Sequence, residues 1–132
     1  MTDPTGTDTW QGDACSLVEA FRAGERSPTE ELQATLAAIE ASDLNAFSFL
    51  DPERALAAAA AADVSLPFGG VPIGVKELDA VIGWPYTEAC AVFRDRVAEH
   101  TSTNAGRIEA DGGAVLVGLT TSSEFGGINC TR

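Results

Sequence analysis

Residues 68–76 read Phe-Gly-Gly-Val-Pro-Ile-Gly-Val-Lys, and Lys76 at their end is the only lysine among the 132 residues of the chain. Apolar residues alternate with small or charged ones along this stretch, with the period of two that is typical of a β-strand. Lys76 therefore shares a face of the predicted strand with Gly74 and Pro72, which leaves room for another group to approach it. A single lysine at the end of an apolar, Gly-rich run is unusual, and we treat Lys76 as a candidate functional residue.

The length and composition of the chain indicate one folded domain with an acidic surface. Hydrophobic residues make up 45% of the sequence, which is enough to build a core. Lys and Arg number 8 against 20 Asp and Glu, so the net charge is −12. This charge disfavours binding to nucleic acid or to an anionic membrane. The N-terminus lacks the basic and apolar segments of a signal peptide, and the alanine run at 57–62 is too short to span a bilayer.

The cysteines of the sequence are Cys15, Cys90 and Cys130, which are far apart and form no Cys-x-x-Cys pair. Their odd number and spacing disfavour a disulfide framework and a zinc site, and favour a cytoplasmic location. Each is predicted to act as a small buried hydrophobic residue.

The N-terminal half is predicted to be helical. Residues 1–12 read as a flexible tail, and residues 13–66 as a set of helices. Asp13 is a candidate cap for a helix that ends near Gly24. Ser27-Pro28-Thr29-Glu30 is a capping box that opens a helix to about Ala41, and Asp51-Pro52-Glu53 repeats the start signal before an alanine-rich helix.

Residues 67–132 are predicted to begin an α/β core. The strand that ends at Lys76 is followed by a long loop over residues 77–100. Thr101 or Ser102 then caps a helix, and the apolar run 114–119 reads as a buried strand. Strand, crossover, helix and strand in this order predict two parallel strands. Residues 120–124 would follow the carboxyl end of the second strand, where α/β proteins commonly bind ligands.

Several kinds of site can be weighed from the residues alone. The spacing of Gly69 and Gly74 matches a phosphate-binding P-loop, but Val75 stands where that motif needs lysine. His100 is the only histidine, and it has no partner at metal-ligand or catalytic spacing. Lys76 can be a structural residue that pairs with Glu77 or Asp79. Alternatively, it is held in a low-dielectric site where desolvation favours the neutral amine as a general base.

Four motifs together carry a resemblance to a known family: Gly-Gly-Val-Pro-Ile-Gly-Val-Lys-Glu at 69–77, Gly-Trp-Pro at 83–85, the run at 112–120 and Glu-Phe at 124–125. In order and spacing they resemble the first part of the amidase signature family, over about residues 28 to 132. The resemblance implies an α/β/α sandwich with a mixed sheet and hydrolysis of small-molecule carboxamides. It also implies a Ser–cis-Ser–Lys triad whose lysine corresponds to Lys76, with no cofactor and no metal. Thr121 and Ser122 fall where the family places the rim of the substrate site.

The sequence departs from the family pattern in three respects. Glu77 follows the lysine where the family usually has Asp, and Leu119-Thr120-Thr121 stands where it usually has Lys-Thr-Asn. The Gly- and Ser-rich segment with both triad serines is expected downstream of residue 132. We therefore interpret residues 13–132 as a partial amidase domain that carries only the lysine and is inactive alone. One alternative is one component of a split amidase or amidotransferase, with a partner chain that supplies the missing half. Another is a non-catalytic interaction module.

Overall fold

The computed structural model describes residues 8–128, which form four α-helices, three β-strands and two short 3-10 turns. The helices are α1 (Ala14–Ala23), α2 (Pro28–Ala41), α3 (Pro52–Ala60) and α4 (Thr103–Ala110). The strands are β1 (Phe47–Leu50), β2 (Pro72–Lys76) and β3 (Val115–Thr120). The turns lie at Ala91–Phe93 and Glu124–Gly126.

The strands form one mixed sheet with β3 in the centre, between β1 and β2. β3 runs parallel to β2, in a register that places Lys76 opposite Thr120, and antiparallel to β1. The long loop and α4 make the crossover that a parallel pair requires. The predicted parallel strands and mixed sheet are confirmed.

β1 corrects the prediction that residues 13–66 contain helices alone. The strand has four residues, Phe-Ser-Phe-Leu, too few for a local pattern to distinguish it from a loop. Its partner is distant in sequence, since Phe47 pairs with Thr120 and Leu50 with Gly118. Pairing across the sheet therefore creates this strand.

Polar side chains fix the starts of the helices where the sequence predicts them. In the capping box of α2, Ser27 Oγ accepts a hydrogen bond from Glu30 N at 3.2 Å. The Glu30 carboxylate accepts one from Ser27 N at 2.7 Å. Asp13, Asp51 and Ser102 cap the other three described helices. Each cap satisfies backbone N–H groups that have no partner inside the helix.

Helices and loop cover both faces of the sheet, which gives the α/β/α layering that the resemblance implies. On one face, α2 and α3 contribute to a buried cluster of Leu32, Ala55, Ala59, Val115 and Val117. On the other face, the long loop and α4 contribute to a cluster of Val75, Val81, Trp84, Ala105, Leu116 and Leu119. β3 therefore supplies apolar side chains to both layers, as expected of a buried strand.

Trp84 anchors the long loop to the rest of the fold. Its side chain is 2% exposed and its Nε1 donates to Asp51 Oδ2 at 2.8 Å. Asp51 Oδ1 accepts from Arg54 N at 3.2 Å, so one carboxylate both caps α3 and holds the indole. The ring centroids of Trp84 and Phe49 lie 5.5 Å apart. Trp84 thus helps to fix the loop to the core, while most of the loop stays irregular, as predicted.

Trp10 is held against the helices, although it lies in the predicted flexible tail 1–12. Trp10 N lies 3.1 Å from each carboxylate oxygen of Glu31, and its Nε1 donates to Ser16 Oγ at 3.0 Å. Glu31 also forms an ion pair with Arg26 at 2.6 Å. Residues 1–7 of the predicted tail lie outside the described residues.

The cysteines differ in their surroundings. Cys90 is buried, as predicted, whereas Cys15 is exposed and corrects the prediction for that residue. Cys15 lies in the first turn of α1, and the buried residues of that helix are Leu17, Val18, Ala20 and Phe21. Periodicity along the helix therefore turns Cys15 outward. Cys130 lies outside the described residues.

Replacing Asp51 by Ala is expected to destabilise the protein by about 2–4 kcal/mol, because the change removes a helix cap and leaves the buried Trp84 N–H unpaired. Ser102→Ala is the matched control, because it removes only a cap and is expected to cost about 1 kcal/mol. Urea unfolding of both variants measures the difference. Equal losses for the two would show that the contact between Asp51 and Trp84 contributes nothing.

The capping box of α2 is expected to weaken in acid. The pKa of Glu30 lies below its ordinary value of 4.5, because its carboxylate accepts hydrogen bonds from the backbone and side chain of Ser27. This stabilisation is complete above pH 4.5 and is lost as the pH falls through the lowered pKa of the folded state. The difference in unfolding free energy between the native chain and Glu30→Gln is therefore expected to shrink on acidification. A difference that stays constant from pH 6 to pH 3 would contradict this assignment.

Candidate active site

The carboxyl ends of β2 and β3 meet at one edge of the sheet and bring together the residues singled out in the sequence. Lys76 ends β2 and Thr120 ends β3, and the two are paired in the parallel register. Thr121, Ser122 and Glu77 follow directly in the two adjoining loops. The parallel arrangement thus places segments that are far apart in sequence at one edge.

Lys76 is exposed, and its Nζ donates a hydrogen bond to the backbone oxygen of Thr121. The ion pairs found within residues 8–128 all involve arginine, so Lys76 pairs with neither Glu77 nor Asp79 in the described part of the chain. Its exposure differs from the low-dielectric environment considered for a general base. The structure therefore shows where the amine lies and what holds it, and its chemical role stays a prediction.

Glu77 is the buried acid of this edge, a feature that sequence reasoning missed. Its side chain is 7% exposed, and its Oε1 accepts a hydrogen bond from Ser122 N at 2.5 Å. Its own backbone N donates to Thr120 O at 3.2 Å, which extends the strand pairing by one residue. Glu77 therefore fastens the loop after β3 to the end of β2. The sequence could have indicated this position, because successive side chains of a strand point to opposite faces and Glu77 therefore lies away from the face of Lys76.

The two predicted substrate-binding residues line one cleft, together with residues from three other segments. The cleft has a volume of about 220 Å³ and is lined by Asn45, Ser48, Glu77, Ala89, Thr121 and Ser122. Ser122 and Ser123 are 5% and 6% exposed. Thr121 N donates to Ala46 O at 2.9 Å, which fixes the residue against the chain that precedes β1. Contact of Thr121 and Ser122 with a substrate stays a prediction.

Gly74 and Lys76 are both exposed, in agreement with the expected room beside the lysine, although side chains of the same chain lie close to Gly74. A Cβ atom at this position would lie 2.7 Å from Thr120 Cγ2 and 3.2 Å from Phe47 Cε1. Phe47 belongs to β1, the strand that the sequence did not reveal. A side chain at position 74 would therefore require Thr120 and Phe47 to move, which favours glycine there.

The described residues show neither a metal centre nor a membrane-spanning helix. Within residues 8–128, no group of three or more His, Cys, Asp and Glu side chains is arranged to hold a metal ion. Over the same residues, none of the helices has the length and apolar character needed to cross a membrane.

The sequence resembles those of amide-processing proteins from bacteria. The profile of the amidase family matches residues 30–131. The chain is 37% identical over 116 residues to the A subunit of glutamyl-tRNA(Gln) amidotransferase from Akkermansia muciniphila, a match that covers 87% of this chain and 24% of that protein. It is 35% identical over 121 residues to the corresponding protein of Bordetella avium, a match that covers 86% of this chain and 24% of that protein.

Solved structures of related proteins share the fold of this chain. The fold superposes on 6-aminohexanoate cyclic dimer hydrolase with a TM-score of 0.82 and 29% identity, over 92% of this chain and 26% of that one. It superposes on a bacterial aryl acylamidase of the amidase signature family with a TM-score of 0.81 and 27% identity, over 91% of this chain and 27% of that one. The chain spans about a quarter of the length of these relatives. On the match over residues 30–131 and on this shared fold, the chain belongs to the amidase signature family.

Proposed function

We propose that this chain supplies the general base, Lys76, of an enzyme that hydrolyses carboxamide C–N bonds. The observation that carries the proposal is the position of the only lysine. It lies at the carboxyl end of a parallel strand, beside the loop that follows the neighbouring strand. Ligands of α/β proteins commonly bind at such an edge. Membership of the amidase signature family gives this lysine its role by resemblance.

In the proposed mechanism, the Lys76 amine takes a proton from a bridging serine, which in turn takes one from a nucleophilic serine. The nucleophile attacks the substrate carbonyl, the C–N bond breaks as the amine leaves with a proton, and water then hydrolyses the acyl-enzyme. Both serines belong to polypeptide outside residues 1–132, because no serine of this sequence matches the family's nucleophile. Ser122 and Ser123 therefore have no part in the triad.

The exposure of Lys76 fits this mechanism if the serine-bearing segment covers the lysine. A base must be unprotonated, and removal from water disfavours a charged ammonium group. We propose that the segment that brings the serines also removes Lys76 from solvent. By itself, the 132-residue chain is then expected to leave amides intact.

The missing serines belong either to a continuation of this polypeptide or to a partner chain. In the relatives named as the A subunit of an amidotransferase, this chain matches about a quarter of one polypeptide, which favours the first possibility, while their being subunits keeps a partner chain as the alternative. A net charge of −12 argues against contact between this segment and tRNA. We therefore propose a small-molecule amide as substrate, with Thr121 and Ser122 at the rim of its site. A cytoplasmic location stays a prediction from the cysteines.

Lys76→Met is expected to lower kcat of the complete enzyme on a simple carboxamide by about 10²–10⁴-fold, because the general base is lost. Release of ammonia measures the effect on the assembly that contains the serines. Arg107→Met, which changes an exposed cation on α4, is the control and should leave kcat unchanged. Unaltered turnover by Lys76→Met would refute the proposed role. If the Lys76→Met variant also binds a partner as the native chain does, a non-catalytic interaction module describes this protein better.

Glu77→Ala is expected to cost about 1–3 kcal/mol of stability, because Ser122 N then loses its acceptor in a buried position. In the complete enzyme it should also lower kcat/KM, since the loop with Thr121 and Ser122 is no longer fastened to β2. Glu77→Gln retains an acceptor oxygen, so its losses of stability and of kcat/KM should be smaller. Asp79→Ala is the control for removal of a nearby carboxylate. Equal effects of Glu77→Ala and Glu77→Gln would show that the hydrogen bond to Ser122 is unimportant.

A further inference from the structure

Arg96 lies in the loop 77–100, where two aromatic rings lie close to its half-buried guanidinium and two oxygens accept hydrogen bonds from its nitrogens. Its Cζ lies 4.4 Å from the ring centroid of Tyr86 and 4.4 Å from that of Phe93. Its Nε donates to Tyr86 O at 2.5 Å, and its Nη2 pairs with the Glu88 carboxylate at 2.7 Å. A planar group with donors along its rim can make all four contacts at once, which the ammonium of a lysine cannot.

The segment that Arg96 holds has a strained backbone. Glu88 and Ala89 have φ angles of 51° and 59°, in the left-handed region that favours glycine. Residues with a side chain rarely adopt this region, so the surrounding contacts must hold Glu88 and Ala89 there. Arg96 supplies such contacts from both sides, through Tyr86 O before the turn and through the carboxylate within it.

The Glu88–Ala89 turn borders the cleft of the candidate active site and also contacts the segment that follows Thr121 and Ser122 in the chain. Ala89 lines the cleft that Glu77, Thr121 and Ser122 also line. Glu88 O accepts a hydrogen bond from Phe125 N at 2.9 Å. The Phe125 ring also meets the Phe93 ring edge to face, with centroids 6.2 Å apart.

We propose that Arg96 is a positioning residue for the active site. It holds the Glu88–Ala89 turn in its left-handed form, and through that turn it fixes one wall of the cleft and the segment around Phe125. The effect on substrate rests on the proposed amide hydrolysis, whereas the effect on the turn does not. Arg96 itself is not a catalytic residue, because its contacts are with the loop and not with Lys76.

The first test is hydrogen exchange of the Phe125 amide in the 132-residue chain, followed by NMR. Arg96→Lys keeps the charge and loses the stacking and the fork of donors, and is expected to speed this exchange at least tenfold. Arg54→Lys is the matched control, because Arg54 lies 5.2 Å from the Trp84 ring and pairs with Glu109 at 2.8 Å. It makes the same kinds of contact away from the turn. Unchanged exchange in Arg96→Lys, or equal acceleration in Arg54→Lys, would overturn the proposal.

A milder variant keeps the test decisive if Arg96→Lys unfolds the whole chain. Glu88→Gln preserves the side-chain length and removes only the ion pair. It is expected to speed exchange at Phe125 severalfold while the amide of Leu32 in α2 keeps its native rate. Loss of protection at both amides to the same extent, or at neither, would contradict a local role of Arg96.

The second test uses the complete enzyme and separates the two proposals. Arg96→Lys is expected to raise KM for a small amide severalfold and to change kcat less than twofold, because the wall of the cleft moves while Lys76 stays in place. Arg54→Lys should leave KM unchanged. An unaltered KM would overturn the role of Arg96 in the active site even if exchange at Phe125 is faster. If the complete enzyme hydrolyses no amide, the proposed function fails, and the exchange experiment still decides whether Arg96 holds the turn.

Discussion

The burial of β3 on both faces is the constraint on which the rest of the structure depends. Val115 and Val117 pack toward α2 and α3, while Leu116 and Leu119 pack toward Trp84 and α4. A strand with apolar side chains on both faces is stable only in the centre of a layered fold. Once β3 is central, β2 pairs with it in parallel, and the two carboxyl ends meet at one edge. The position of Lys76 beside Thr121 follows from this packing.

Two arginines give the long loop its fixed shape in place of regular secondary structure. Arg54 lies over Trp84 and pairs with Glu109, so α3, the loop and α4 are joined through one side chain. Arg96 does the equivalent within the loop, between Tyr86 and Phe93. The first contact secures the loop to the core, and the second shapes the part that borders the cleft. Irregular backbone can therefore be well defined where side chains with several contact modes hold it.

Features set by local sequence could be predicted, as could the parallel pairing of β2 and β3 from the order of the elements, whereas most side-chain contacts between distant segments could not. Ser27 and Glu30 predict the start of α2, because both partners of the capping box lie within four residues of sequence. The alternation that ends at Lys76 likewise predicts β2. β1 was not predicted, because it is stabilised by its pairing with β3, which is distant in sequence. The hydrogen bond between Glu77 and Ser122 and the close approach of Thr120 and Phe47 to Gly74 also join segments that are distant in sequence.

The surroundings of Lys76 bear on whether this amine can serve as a base. A carboxylate in contact with an amine favours its charged form, which opposes the uptake of a further proton. Glu77, the adjacent acid in sequence, instead turns to the backbone N–H of Ser122. Lys76 is held by the backbone oxygen of Thr121, a neutral acceptor. Within residues 8–128, Lys76 is thus held by a neutral acceptor, while its acidic neighbour holds the loop. A structural ion pair between residues 76 and 77 would join the two side chains, whereas the fold directs each of them to the backbone of the loop after β3.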